Sequence, residues 1–244
     1  MNLPNEKTVV WRTLSLGAFI ARGEIENMIR NADESGDIEQ LERSAWEITS
    51  WMENERLVQH LSRIERGLIN KLPGTWKQTD ITSAAWRTDA LGVLLWSLSY
   101  FEELPPYDMR FNRKMVLDTT GIHSPSEDFA QCAMLRPVSQ LRHARAVAEL
   151  WHWRSHTRQR QNSKDRGVAT SLSTGVIQEA AENAFIERNI PRPIEGDFPA
   201  FGKPYGALTP KEHSRMASIA YERHFAFNWL CGYSLDWDTT PTDT

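Results

Sequence analysis

Cysteine is almost missing: Cys132 and Cys231 are the only two in 244 residues, and they form no C-x-x-C pair. That excludes a disulfide framework or a cysteine zinc site and points to two reduced thiols. Long apolar runs are missing too. The longest, Ala90 to Phe101, has twelve residues with Gly92, Ser97 and Ser99 inside it, short of the roughly eighteen a membrane span needs. No segment alternates strictly between apolar and polar residues, which argues against a sheet. There is no G-x-S-x-G, no glycine-rich phosphate loop and no cysteine beside a histidine. Nothing therefore marks a hydrolase nucleophile or a nucleotide cradle. A strong charge of either sign is also lacking: the net charge is -4 and the pI about 6.0. The chain as a whole is no general nucleic-acid binder. The N-terminal residues lack a basic segment followed by an apolar stretch, so a cytoplasmic setting is expected.

What is present is helical. Ten tryptophans and 40% apolar residues supply a large core. The run from Ala90 to Phe101 is apolar on nearly all sides, as a helix wrapped by other elements must be. The expected architecture is all-α: a compact bundle of seven or eight helices around a buried central helix at about 83–104, stopped by Pro105-Pro106. Helices are expected over 9–31, from Asp37 to about Met52, over 55–72, 126–135, 138–161, 174–189, and from Thr209 to about Leu230. Asp37 is the expected cap of the second. Thr209-Pro210-Lys211-Glu212 combines a cap, a first-turn proline and the matching glutamate. Residues 107–124 read as loop with a possible short helix, and Ser163 to Ser173 as a mobile link. The stretch 190–208 is a long Pro/Gly-rich loop whose Ile194, Phe198, Phe201 and Tyr205 pull it onto a surface. A single domain, 1–244, is expected, with a possible looser N-terminal lobe at 9–72.

Several stretches resemble a known family. They are W-R-T-D-A-L-G-V-L-L-W-S-L from Trp86, E-L-P at Glu103, and R-H-A-R-A-V-A-E-L-W-H-W-R from Arg142. To these add E-R-H-F-A-F-N-W-L-C-G-Y from Glu222 and D-W-D-T-T-P-T-D-T from Asp236. Together they are similar to the bacterial family called domain of unknown function 4272, over roughly 86–244. The resemblance implies no activity, substrate or catalytic residue.

The last helix offers the densest polar group. After Ala220 it has almost no solvent face, so Glu222, Arg223, His224 and Asn228 are forced into or against the core, where unpaired polar groups are costly. Arg223, and Arg87 beside Trp86, need carboxylate partners; Asp236 and Asp238 of the tail are the expected ones. This set is either a buried ion-pair network or a pocket in which two arginines grip an anion and His224 acts as acid or base. Glu149-x-x-His152, with His156 one turn on, has a di-iron spacing but no second copy, so no metal and no cofactor are expected.

Charge is segregated. Up to Glu55 eleven acids face five Lys or Arg; from Arg136 to Arg166 eight Lys or Arg face two acids. Arg154, Arg158, Arg160, Lys164 and Arg166 form a possible basic contact face. Its attraction to nucleic acid would be salt-dependent, but the interleaved aromatics of a single-strand binder are largely missing. The expected function is a protein-interaction module, of adaptor or toxin-neutralising type, with a protein partner, no membrane and no assigned catalysis. The alternative is a protein or enzyme that binds a small anion or nucleotide-type ligand in the Arg/Glu/His pocket.

Overall fold

In the computed structural model residues 3–33, 36–162 and 169–243 are described, and no side chain from 162 to 173 is. Helix α1 (Glu6–Asn31) opens on Asn5, whose side chain accepts the Thr8 N–H, and α2 (Ile38–Asn54) opens on Asp37 as the sequence predicts. The expected helix over 55–72 is broken in two places. Arg56, at φ 57°, closes α2 with a Leu57 N–H to Met52 carbonyl bond, and Ser62 with Glu65 forms a capping box that starts α3 (Arg63–Ile69). A 3₁₀ turn, Val58–His60, lies between.

The central helix is also two pieces, α4 (Gln78–Trp86) and α5 (Thr88–Ser97), bent at Arg87. All ten residues of α5 are buried. Gly92 is required there: a Cβ would stand 2.3 Å from the Phe111 ring. The helix stops well before Pro105. Ser99 takes φ 64°, and bonds from the Ser99 and Tyr100 N–H groups to the Trp96 and Leu95 carbonyls complete a Schellman stop. The Leu98 and Ser97 carbonyls are taken by the Met134 and Arg136 N–H groups. Ser97 and Ser99 thus end a helix rather than let a second one approach.

Asn112 caps α6 (Arg113–Thr120), which ends on left-handed Gly121. Then come α7 (Ser126–Cys132), α8 (Val138–Asn162) and α9 (Ala169–Ile186). Of the predicted link at 163–173, residues 163–168 lie outside the described residues and 169–173 belong to α9 instead. The 190–208 loop is packed, with Phe198 and Tyr205 fully buried. It carries a small antiparallel pair, β1 (Pro199–Ala200) and β2 (Lys203–Pro204). Helix α10 (Pro210–Leu230) starts on the predicted Thr209–Glu212 capping box. It packs along α8 and across α5, while α1 packs on α2, α4, α5 and α6. One apolar cluster runs from Val9 to Trp237 and joins the N-terminal helices to the rest. The fold is all-α with ten α-helical segments among the described residues, more than the sequence count because the central helix is two pieces and the 107–124 segment forms α6. No described helix is long and apolar enough to cross a membrane.

Candidate functional site

Three helices present polar residues at the same spacing toward one space. The bent α4–α5 junction brings Ser83, Trp86 and Arg87; α8 brings His152, Ser155 and His156; α10 brings Ser218, Tyr221 and Glu222. Each set is i, i+3, i+4, which puts its members on one helix face. Between them lies a polar cavity of about 440 Å³. Arg87 Nη1 donates to Glu222 Oε2 at 3.0 Å, and the guanidinium lies 4.4 Å over the Phe225 ring. The arginine side chain is 25% exposed, whereas Glu222 is buried. Burial pushes the Glu222 carboxyl up, and Arg87 pulls it back.

Histidines make the opposite wall. The His152 ring lies 4.3 Å from His156 and 5.0 Å from His224, centroid to centroid. Burial, then the neighbouring His156, lowers His152 to about 4. His224 stands behind His152, fully buried, with no hydrogen-bond partner for either ring nitrogen among the described residues. Burial and then His152 lower it to about 3. A neutral imidazole is therefore built into the core at this point, because a charged ring there would be stripped of water.

Arg223 points elsewhere. It is fully buried, bonded to the Pro105 and Met109 carbonyls at 2.6 Å each and to Asp89 Oδ1 at 3.4 Å. The Tyr107 and Phe111 rings lie 4.8 and 5.2 Å from it. Asp89 also receives Arg110 at 2.8 Å, and Arg110 lies over the Trp86 ring. The expected tail carboxylates are thus displaced from this role. Asp236 accepts the Asp238 N–H in the 3₁₀ turn Trp237–Thr239, and Asp238 accepts the Ile64 N–H of α3. The reason is reach: Asp89 and Glu222 sit on helices already in contact, whereas the tail turns toward α3. Asn228 ties α8 to the tail, accepting from Arg145 and donating to the Pro241 carbonyl, both at 2.7 Å.

The predicted basic face is not one surface. Arg154 is buried in a bidentate pair with Asp197, at 2.7 and 2.6 Å. Arg158 donates to the carbonyls of Tyr205, Gly206 and Leu208. Both staple the 190–208 loop to α8, where Asp197 and carbonyl oxygens neutralise them. Arg160 is exposed, and Lys164 and Arg166 lie outside the described residues. Glu149 is held by Arg145 through two 3.0 Å bonds. Among the described residues no group of three or more His, Cys, Asp or Glu is arranged to hold a metal ion.

Sequence reasoning brought Trp86, Arg87 and Glu222 to the cavity wall and missed Ser155 and Tyr221, although their helical spacing was readable. Asp89 and Asp197 had no such signal, since their arginines come from distant segments. No curated protein and no solved structure matches the chain significantly. One family model does match, over residues 1–181. It takes in the N-terminal helices, which the sequence motifs had left aside, and stops before α10. On that match, spanning most of its length, the chain belongs to the domain of unknown function family DUF4272.

Proposed function

We propose that this chain binds a small oxyanion, a phosphate or carboxylate group on a compact molecule, in the cavity between α4–α5, α8 and α10. The observation that supports it is the wall itself: a partly exposed arginine, three serine hydroxyls, Tyr221 and the His152–His156 pair around one space of small-ligand size. Glu222, the one carboxylate on the wall, is already engaged by Arg87, and the Ser218 hydroxyl donates to the Ser214 carbonyl. An entering anion would bond to the rest of the guanidinium and favour a proton on the histidines. The test is calorimetric titration with inorganic phosphate and with a nucleoside monophosphate, following the His156 ring by NMR. Saturable binding to at least one, lost in Arg87→Gln while the fold persists, is the expected result. No saturable binding of either by the unaltered protein would sink this reading.

A second reading, a protein-interaction module of adaptor or toxin-neutralising type, has one observation in its favour. Trp46 on α2 is 45% exposed amid Glu39, Glu42 and Glu47, a surface suited to a basic protein. A partner that co-purifies with the chain and is lost on Trp46→Ala would support it. Both cysteines are free thiols, in keeping with a reducing, cytoplasmic setting.

A further inference from the structure

The opposite side of α8 holds a larger cleft, about 850 Å³, closed by the 104–108 turn and the 190–208 loop. Its walls are mainly apolar: Trp96, Tyr107 and Trp151, Val147, and prolines from both loops. Tyr107 stacks on Trp151 at 5.2 Å with 13° between the rings, and the stacked pair forms one aromatic wall of the cleft. The walls are held by bonds behind them. Arg223 grips the Pro105 and Met109 carbonyls, and Asp108 accepts the Phe201 N–H at 2.9 Å. Such a space is formed before any ligand arrives, and its volume is that of a small-molecule site.

The polar groups of the cleft have a sign. Asp108 is the carboxylate among the lining residues, and no lysine or arginine lines it. Arg223 over Tyr107 and Arg136 over Trp96, behind the wall, are occupied by backbone carbonyls. Asn189 donates its amide to Glu187, which leaves its Oδ1 as a buried acceptor with no partner among the described residues. The Tyr107 hydroxyl, on a side chain nine-tenths buried, is likewise unpartnered. A donor-bearing ligand would satisfy these oxygens; an anion would meet Asp108 with no lysine or arginine on the wall, His143 being the one basic side chain there.

We propose that this cleft binds an apolar amine: a ring-bodied molecule packed against the Tyr107–Trp151 wall, with a protonated nitrogen directed to Asp108. This is a separate site from the oxyanion cavity, with opposite charge preference, so each stands or falls alone. The probes are 1-naphthylmethylamine, 1-naphthalenemethanol and 1-naphthylacetate, compared by calorimetry and ligand-observed NMR. The amine is expected to bind at least about tenfold tighter than the alcohol or the acetate. Asp108→Asn, which keeps an acceptor for the Phe201 N–H, should weaken the amine about tenfold and leave the alcohol unchanged. Val147→Phe, from a half-buried position on the wall, should block both. Equal or tighter binding of the acetate or alcohol overturns the proposal. So does failure of the amine to bind, or an amine affinity that neither variant moves.

Discussion

Glu222 and Arg223 are neighbours on α10, yet the regions they enter could hardly differ more. Successive helical residues point about 100° apart, so one faces the cavity and the other faces the 105–111 turn. On the Arg223 side the guanidinium is dry, sandwiched by Tyr107 and Phe111 and bonded to carbonyls and Asp89. On the Glu222 side its partner Arg87 is a quarter exposed and borders open space. A buried charge whose terminal nitrogens are all bonded serves architecture; a charge with room in front of it can serve a ligand. The same residue types thus take two roles, separated by burial rather than by chemistry.

The comparison can be broken by substitution. Arg223→Leu should have the largest effect, a loss of about 3–5 kcal/mol in urea unfolding, since Asp89 stays buried and loses its inner partner. If it instead unfolds at the midpoint of the unaltered protein, the structural role assigned to Arg223 is wrong. Asp197→Asn should come next, losing about 1–3 kcal/mol because Arg154 remains buried with weakened bonds; urea unfolding again measures it.

The histidine wall predicts a pH dependence. His152 and His224 titrate below the ordinary value, near 4 and 3, so the unfolded chain binds protons below about pH 6.5 that the folded chain refuses. Stability should therefore fall as pH drops from about 6.5 toward 4, with Glu222, pushed up by burial, opposing it in part. His224→Phe should flatten that slope and add about 1–2 kcal/mol at pH 5, measured as melting temperature against pH. An unchanged slope would mean that this ring carries no such penalty.

Arg87→Gln sits on the wetter side and should cost about 1–2 kcal/mol, since glutamine keeps a donor for the buried Glu222, with the α-helical circular dichroism intact. A loss comparable to that of Arg223→Leu would erase the distinction between the two regions. The smallest effect belongs to Arg43→Ala, whose ion pair with Glu39 is largely exposed: within about 0.5 kcal/mol in urea unfolding.

Legibility followed sequence distance. The Asp37 and Thr209 caps, the all-round burial of α5 and the buried polar run of α10 were readable, because each depends on residues within one or two turns. The stops at Arg56 and Ser99 were not, since neither is glycine and the left-handed turn is stabilised by contacts such as Met134 and Arg136 on the Leu98 and Ser97 carbonyls. In the candidate site, Arg87 and Glu222 were named but not matched to each other. The basic cluster at Arg154 and Arg158 looked like surface, because the loop that covers it lies some forty residues downstream, Asp197 being 43 residues from Arg154.

Local order thus came from the sequence alone: helical class, two of the capping boxes and sites, and which helices had to be interior. Helix propensity, caps and apolar periodicity act over a few residues, and a single chain displays them. Which carboxylate neutralises which arginine, and where space is left beside the pair, only tertiary packing decided. Coulomb attraction and hydrogen bonding accept any donor of the right kind, so proximity in the folded chain makes the choice.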